Sequence, residues 1–334
     1  MTATDPSTRP QTGPQTGPPV PYDPELAAAL AVVRAEMPRL ESIESLPVVR
    51  AAVASRQLPL GDLTADGTIE LWEAEADGPD GPVPVIAGRP AGVTTALPVL
   101  CWLHGGGMVL GGNRGRDLLF LKQYALDLGL AFVAIDYRVA PEHPHPAPVE
   151  DSYAGLKWTV EHAAELGIDP ERVLVGGASA GGGLAAAVAL LARDRNGPAL
   201  LGQLLLYPML DDRNNTPSAY QMAGAGSWDR TANNVGWTAL LGDARGGPDV
   251  SPYAAPARAT DLSGLPPAFL DVGSAETFRD EVITYAARLS LAGVAAELHM
   301  WPGAFHGFDG VAPQAALSQQ AREARVPWLR RMLG

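Results

Sequence analysis

RVLVGGASAGGGLAAAVALLARD, residues 172–194, joins a short apolar run to a helical run through a turn of small residues. Gly177 to Gly181 fit the pattern G-x-S-x-G, in which a serine occupies a sharp strand-to-helix turn. A serine in that turn has a strained backbone and needs small neighbours. Every other residue from Gly176 to Gly183 is glycine or alanine. Because the helix N-terminus favours negative charge, the stretch predicts that Ser179 is a nucleophile.

Strand and helix patterns alternate on both sides of this stretch. Short apolar runs bounded by Gly, Pro or charged residues predict the strands TIELWEAEA, VPVIAGRP, LPVLCWLH, AFVAIDYR, RVLVGGAS, GQLLLYPML, PAFLDVGS and AAELHMWPG. Helical patterns lie between most of them and at both ends of the chain. Repeated β–α alternation predicts the α/β class, a mostly parallel twisted sheet with helices on both faces.

Three segments of different composition organise the chain. Residues 1–22 are rich in Pro, Thr, Gln and Gly and predict a disordered tail. Residues 23–55 have helical patterns, and residues 56–334 form the predicted main domain. That domain is interrupted at about 211–250 by a stretch too long for a simple crossover. We expect this insertion and the helices of 23–55 to form a helical cap over the carboxyl edge of the sheet, where such sheets bind ligands.

Composition excludes several classes of partner. The 334 residues carry a net charge of −13, which argues against nucleic acid and against anionic membrane surfaces. Cys101 is the only cysteine, so no internal disulfide forms, and its apolar surroundings predict a buried, inert thiol. The N-terminal residues have no basic start before an apolar core, and the run LAAALAVV (26–33) is too short for a bilayer span. We therefore expect a cytoplasmic protein.

The stretch HGGGMVLGG, residues 104–112, follows a predicted strand directly. Three consecutive glycines let the backbone turn its N–H groups inward with no side chain in the way, and such groups bind a developing oxyanion. The spacing matches neither a dinucleotide loop nor a P-loop. We interpret His104 as a structural residue that shapes this loop.

Five stretches together resemble the bacterial hormone-sensitive-lipase-like esterases, or family IV, of the α/β-hydrolase superfamily. They are HGGG, DYRVAPEHPHPAPVEDSYAGLKW, GGASAGGGLA, SPYAAPARATDLSGLPPAFL and PGAFHGF, and the resemblance covers roughly residues 70–334. The family commonly has G-D-S-A-G-G at the serine, whereas this chain has Ala178 at the acidic position. That position is not part of the catalytic triad, so we expect the departure to be tolerated.

The resemblance implies a triad in the order serine, acid, histidine. Of the six histidines only His299 and His306 follow the serine; His299 lies in a strand pattern, and His306 lies in a loop. Glu276 occupies the family's acid position in ETFRDE, and it is the acidic residue of DVGSAETFRDEV (271–282) left in a loop. Thr277 and Asp280 match a capping box for the next helix. Asp280 and Asp271 remain alternative acids.

The resemblance further implies a serine carboxylesterase that hydrolyses short- to medium-chain acyl esters through an acyl-enzyme, without metal or organic cofactor. The expected oxyanion donors are the N–H groups of Gly105, Gly106 and Ala180. Four side chains of the expected cap are candidate substrate contacts: Tyr220, Met222, Trp228 and Trp237. An amidase or deacetylase would use the same triad, and a non-catalytic receptor is a third alternative. The expected partner is a small-molecule ester, and a homodimer is possible.

Overall fold

The computed structural model describes residues 14–334 and contains one sheet of eight strands in the order β1-β2-β4-β3-β5-β6-β7-β8. The strands β1 to β8 are Ile69–Gly78, Gly81–Pro90, Leu97–Leu103, Ala131–Ile135, Ile168–Ala178, Gly202–Leu206, Ala268–Gly273 and Ala296–Trp301. The hairpin β1–β2 is antiparallel and β2 pairs antiparallel with β4, whereas every pairing from β4 to β8 is parallel. The predicted α/β class with a mostly parallel sheet is confirmed.

Helices cover the sheet and connect its parallel strands. In chain order α1 to α12 are Pro24–Glu36, Leu46–Ala54, Leu60–Thr64, Asp117–Leu128, Ala147–Glu161, Ala163–Leu166, Ala180–Asp194, Pro217–Gln221, Arg230–Leu241, Arg279–Leu291, Phe308–Val311 and Ala316–Leu333. Helix α7 packs on β5 and β6 and against α5, while α4 packs on β2 and β4 and against α12. None of the helices within residues 14–334 has the length and apolarity that crossing a bilayer requires.

The neighbouring strands β3 and β4 are buried along their whole length. All seven residues of Leu97–Leu103 and all five of Ala131–Ile135 are buried, as expected for parallel strands covered by helices. Cys101 lies in β3, and burial raises the pKa of its thiol to about 12. A thiol with so high a pKa stays protonated, which agrees with the predicted inert role.

Helix α1 packs against α11, the short helix that follows β8. Asp23 caps its first turn by accepting from the N–H groups of Glu25 and Leu26. Leu26 and Leu30 are buried in a separate apolar cluster that includes Phe305. The N-terminal helical segment therefore supports the loop that follows β8.

The predicted cap insertion follows β6, and it contains the short helices α8 and α9. Residues 1–13 of the predicted disordered tail lie outside the described part of the chain. Residues 14–22 form neither helix nor strand, and within them Pro18 accepts a hydrogen bond of 2.8 Å from the side chain of Gln221 in α8. The end of the tail thus contacts the insertion.

Candidate active site

Ser179 lies between β5 and α7 with a φ of +59° and a ψ of −118°, a conformation that side-chain-bearing residues rarely adopt. The turn is tight enough to explain its small residues. A β-carbon on Gly181 would be 1.9 Å from the carbonyl oxygen of Leu103, and one on Gly177 would be 2.3 Å from the backbone of Gly181. Larger residues would push α7 away from β3. The sequence therefore forces Ser179 to the carboxyl edge of the sheet at the N-terminus of a helix.

His306 lies in the turn after β8, and its Nε2 atom is 2.8 Å from Oγ of Ser179. Its ring has an aromatic neighbour on two sides: Tyr207 at 5.1 Å and 75°, and Phe278 at 4.9 Å and 90°. The hydroxyl of Ser227, in the inserted segment, donates a hydrogen bond to the carbonyl oxygen of His306. Side-chain packing and a backbone contact thus hold the imidazole in place.

Glu276 lies after β7, with Oε2 at 3.0 Å from Nδ1 of His306. Burial raises the pKa of this carboxyl, and the positive charge available on His306 acts in the opposite direction. As a carboxylate, Glu276 accepts a hydrogen bond from Nδ1–H of His306 and leaves Nε2 free to take a proton from Ser179. The structure therefore connects serine, histidine and glutamate by consecutive hydrogen bonds.

The other acidic residues of the segment 271–282 have different partners. Asp271 is fully buried in β7, and its Oδ2 is 2.8 Å from Nη2 of Arg325. Glu281, inside α10, accepts a hydrogen bond of 2.8 Å from the N–H of Leu210. In the described part of the chain, Glu276 is the acidic side chain hydrogen-bonded to His306.

The predicted capping box of α10 is wrong. The helix begins at Arg279, and its N-cap residue makes no side-chain capping bond. The hydroxyl of Thr277 donates to the carbonyl of Trp228 over 3.3 Å, and Asp280 accepts from the N–H of Ser218 over 2.7 Å. Both polar side chains are therefore engaged by the inserted segment, which a pattern of neighbouring residues cannot reveal.

The glycine loop after β3 lies directly beside the serine. A β-carbon on Gly105 would be 3.5 Å from the Cβ atom of Ser179. Within residues 14–334 the N–H groups of Gly105 and Gly106 have no hydrogen-bond acceptor. Ala180 opens α7, where backbone N–H groups have no partner inside the helix. The predicted oxyanion donors thus border Ser179 and are free to bind an anion.

Two aromatic residues fix the orientation of this loop. The hydroxyl of Tyr137 donates to the carbonyl of His104 over 2.7 Å, and the two rings stack at 4.2 Å. Nδ1 of His104 lies 2.8 Å from the carbonyl oxygen of Gly105. The carbonyl groups of His104 and Gly105 are thus held toward the side chains of Tyr137 and His104. The N–H groups of the loop are not used in these contacts. His104 therefore acts on loop shape, as its position in the sequence predicts.

A cavity of about 230 Å³ opens between the N-terminal helical segment and the insertion. Its walls are mostly apolar, and they include Trp228 next to the glycine loop. The lining residues are Val33, Arg34, Met37, Pro38, Arg39, Leu40, Val49, Val53, Leu110, Gly226, Ser227, Trp228, Asp229 and Ala232. This space, hereafter the cap cavity, lies where the predicted cap meets the oxyanion loop.

The four predicted substrate contacts occupy different environments. Trp228 lines the cap cavity. Tyr220 borders a separate polar cavity, where the guanidinium of Arg230 lies 4.1 Å from its ring centre. Met222 is 1% exposed and Trp237 is fully buried, and neither lines the cap cavity, so their assignment as substrate contacts stays a prediction. Trp237 belongs to the main apolar core, a role that the sequence pattern does not distinguish from lining a cavity.

Sequence reasoning missed Tyr207, Phe278 and Ser227, all of which contact His306. Tyr207 follows β6 directly and has a φ of +36°, which is unusual for a residue other than glycine. The missed residues are 28 to 99 positions from His306 in the chain. No local motif signals such contacts; only the fold brings them together.

Comparisons with known proteins place this fold in a family. A family model described as alpha/beta hydrolase fold matches residues 100–310. The chain is 40% identical over 257 residues to Carboxylesterase NlhH of Mycobacterium tuberculosis, covering 75% of this chain and 79% of that protein. It is 30% identical to Ethyl acetate hydrolase of Pseudomonas putida, covering 86% and 91%. The structure of Bacterial Heroin Esterase superposes with a TM-score of 0.86 at 41% identity, covering 94% and 98%.

Proposed function

The chain belongs to the hormone-sensitive-lipase-like family of α/β hydrolases, and we propose that Ser179, His306 and Glu276 form its catalytic triad. Because the relatives named above are ester hydrolases, we infer that this chain cleaves short- to medium-chain acyl esters. The observation that supports the triad best is the hydrogen-bonded series in which Nε2 of His306 is 2.8 Å from Ser179 and Nδ1 is 3.0 Å from Glu276.

Acylation begins when Oγ of Ser179 attacks the ester carbonyl carbon and Nε2 of His306 takes the hydroxyl proton. Glu276 holds the imidazole in the required tautomer and stabilises the imidazolium that results. The tetrahedral intermediate carries its negative charge on oxygen, which the N–H groups of Gly105, Gly106 and Ala180 bind. Collapse of the intermediate breaks the ester bond, and His306 gives its proton to the leaving alcohol.

Deacylation repeats these steps with water as the nucleophile. His306 takes a proton from water, whose oxygen attacks the acyl carbon, and then returns the proton to Oγ of Ser179. The products are a carboxylic acid and free enzyme. Each step uses side chains and backbone groups of this chain.

The cap cavity is proposed to receive the acyl chain. Sites for drug-sized ligands have volumes of about 300–1,000 Å³, and the cap cavity, at about 230 Å³, is smaller. Its mostly apolar lining suits a short hydrocarbon chain. The names of two relatives, Ethyl acetate hydrolase and Bacterial Heroin Esterase, also specify esters as substrates. The cytoplasmic location and the homodimer stay predictions from the sequence.

The decisive experiment measures turnover of p-nitrophenyl esters from acetate to decanoate, together with the matched anilides. We expect hydrolysis of the short and medium esters, weak hydrolysis of decanoate, and anilide turnover lower by orders of magnitude. Faster turnover of the anilides would support the amidase alternative instead. A fluorophosphonate probe, with the labelled peptide identified by mass spectrometry, should modify Ser179. Absence of labelling at Ser179 would contradict the triad and leave the receptor alternative.

A further inference from the structure

A fully buried ionic cluster lies behind the proposed triad. Arg325, in α12, is 0% exposed and lies between two buried carboxylates. Its Nη2 is 2.8 Å from Oδ2 of Asp271, and its Nη1 is 2.7 Å from Oδ2 of Asp309. Asp271 precedes Glu276 by five residues, and Asp309 follows His306 by three. Arg325 therefore joins the segment that carries the acid to the segment that carries the base.

Fold stability alone is a weak reason for this cluster. Removing charges from water costs several kcal/mol per ion, and apolar replacements of buried ion pairs are often neutral or stabilising. Burial alone would raise the pKa of Asp309, but Arg325 lowers it below its usual range by charge and hydrogen bonding. Asp309 is therefore a carboxylate, able to accept a further hydrogen bond.

That further hydrogen bond comes from Tyr207. Its hydroxyl lies 2.9 Å from Oδ1 of Asp309. Burial raises the pKa of Tyr207 well above its usual value, so the phenol stays protonated and donates. The backbone N–H of Tyr207 also donates to the carbonyl of Asp271 over 2.8 Å. Both ends of Tyr207 are thus held by the two residues that Arg325 joins.

The ring held in this way lies against the proposed base. Tyr207 and His306 have ring centres 5.1 Å apart and planes at 75°, and Phe278 contacts His306 from another direction. The φ of +36° at Tyr207 is a strained conformation for a residue other than glycine, and it persists where contacts fix it. Such strain next to a reacting group is typical of functional sites.

We propose that Tyr207 is a positioning residue for His306 and that Asp309 and Arg325 hold it for this task. The support runs from Arg325 through the carboxylate of Asp309 and the hydroxyl of Tyr207 to the imidazole ring. It keeps Nε2 directed at Oγ of Ser179, because the ring cannot tilt while its neighbour is fixed. The proposal rests on the proposed role of His306 as the base.

Tyr207→Phe is the sharpest test, because it removes only the hydroxyl. We expect kcat to fall on the order of 10-fold, since small misplacements of reacting groups slow the chemical step. KM should stay within about two-fold of wild type, because Tyr207 does not line the cap cavity. The matched control is Tyr285→Phe, which removes from α10 a buried hydroxyl that has no hydrogen-bond partner in residues 14–334. It should leave kcat unchanged.

A spectroscopic measurement separates positioning from general loosening of the fold. The Nδ1 proton of His306 should give a sharp low-field NMR resonance in the wild type and in Tyr285→Phe, and a broadened one in Tyr207→Phe. Thermal midpoints of the two variants should lie within a few degrees of each other. Equal kcat and equal spectra in the two variants would overturn the proposal. A raised KM with unchanged kcat would also overturn it, since that result indicates contact with substrate.

The link to the ionic cluster is tested by a double-mutant cycle of Tyr207→Phe with Asp309→Ala. If Asp309 acts on the rate through the hydroxyl, the double variant should have the kcat of Asp309→Ala alone. Independent effects that multiply would contradict the link. If Asp309→Ala fails to fold, the comparison of Tyr207→Phe with Tyr285→Phe still decides the role of Tyr207. Turnover by Ser179→Ala would refute the triad itself, a result distinct from failure of the support.

Discussion

The indole ring of Trp228 lies directly over the α-carbon of Gly107, so that a β-carbon at this glycine would be 2.2 Å from the ring. Trp228 belongs to the inserted segment, and Gly107 belongs to the loop with the proposed oxyanion donors. The next residue, Asp229, pairs with Arg39 of the N-terminal helical segment over 2.9 Å. Both parts of the predicted cap therefore meet at the oxyanion loop, and cap position and loop geometry depend on each other.

Gly107→Ala should lower kcat roughly 10- to 100-fold, because the new methyl group displaces either Trp228 or the oxyanion loop. Gly129→Ala is the matched control: both glycines have a φ of +62°, but nothing lies within 4 Å of a β-carbon at Gly129. It carries the same backbone strain and should keep wild-type kcat. In a Trp228→Ala background the cost of Gly107→Ala should be much smaller. An equal cost in both backgrounds would mean that the ring contact is irrelevant.

Ser179→Ala and Ser179→Gly should both lose activity by a factor on the order of 10⁴ to 10⁶ in kcat while remaining folded. They should differ in stability. The alanine variant keeps the strained backbone at φ +59°, whereas glycine relieves it at some cost in unfolded-state entropy. In urea unfolding, we expect the free energy of unfolding of Ser179→Gly to be about 1 kcal/mol higher than that of Ser179→Ala. A variant that retains most wild-type turnover would end the serine mechanism.

Glu276→Gln should reduce kcat by a factor on the order of 10³ to 10⁴, since an amide facing Nδ1 stabilises the wrong imidazole tautomer. Asp280→Asn is the matched control, because Asp280 is the rival acid in the same segment and bonds to Ser218 instead. It should change kcat by less than about two-fold, as expected for a partly exposed side chain away from the reaction. The opposite ranking of the two variants would move the acid assignment to Asp280.

Much of this arrangement can be predicted from the local sequence. The apolar run of β3, the small residues around Ser179 and the loop position of Glu276 each follow from neighbours in the chain. Contacts between residues that are distant in the chain cannot be predicted in this way. Thr277 and Asp280 fit a capping box until the insertion engages both side chains. An arginine in a helix pattern predicts an exposed face, yet Arg325 is buried because Asp271, 54 residues earlier, lies opposite it.

Ala232→Leu should narrow the cap cavity, which Ala232 lines from α9. We expect kcat/KM for hexanoate and octanoate esters to fall on the order of 10-fold while acetate changes by less than about three-fold, since an added hydrophobic group of this size changes fit by about 1–3 kcal/mol. Thr231→Leu, one residue away on an exposed position, is the control and should leave the whole series unchanged. A uniform loss for all chain lengths would argue that the acyl chain binds elsewhere.

Glu281 should make stability depend on pH in a direction that identifies it. Burial raises the pKa of this carboxyl well above its usual value, with the charges of Asp211 and Glu276 adding to the shift. A carboxyl whose pKa is raised on folding contributes stability below its unfolded pKa, and that contribution is lost as pH rises through the folded pKa. Between the two values the loss is about 1.4 kcal/mol per pH unit. A glutamine at this position does not ionise, so it escapes the loss.

Glu281→Gln is therefore predicted to change how steeply the free energy of unfolding varies with pH, whatever its effect at any single pH. The amide oxygen still accepts from the N–H of Leu210, whereas the NH₂ group takes the place of Oε2, which has no hydrogen-bond partner in residues 14–334. That defect shifts stability equally at every pH. In urea unfolding from pH 4 to pH 8, the stability of Glu281→Gln should rise relative to that of the wild type as pH rises. The control Glu171→Gln, at an exposed position, should follow the pH dependence of the wild type. Parallel curves for Glu281→Gln would mean that this carboxyl is not buried in its neutral form.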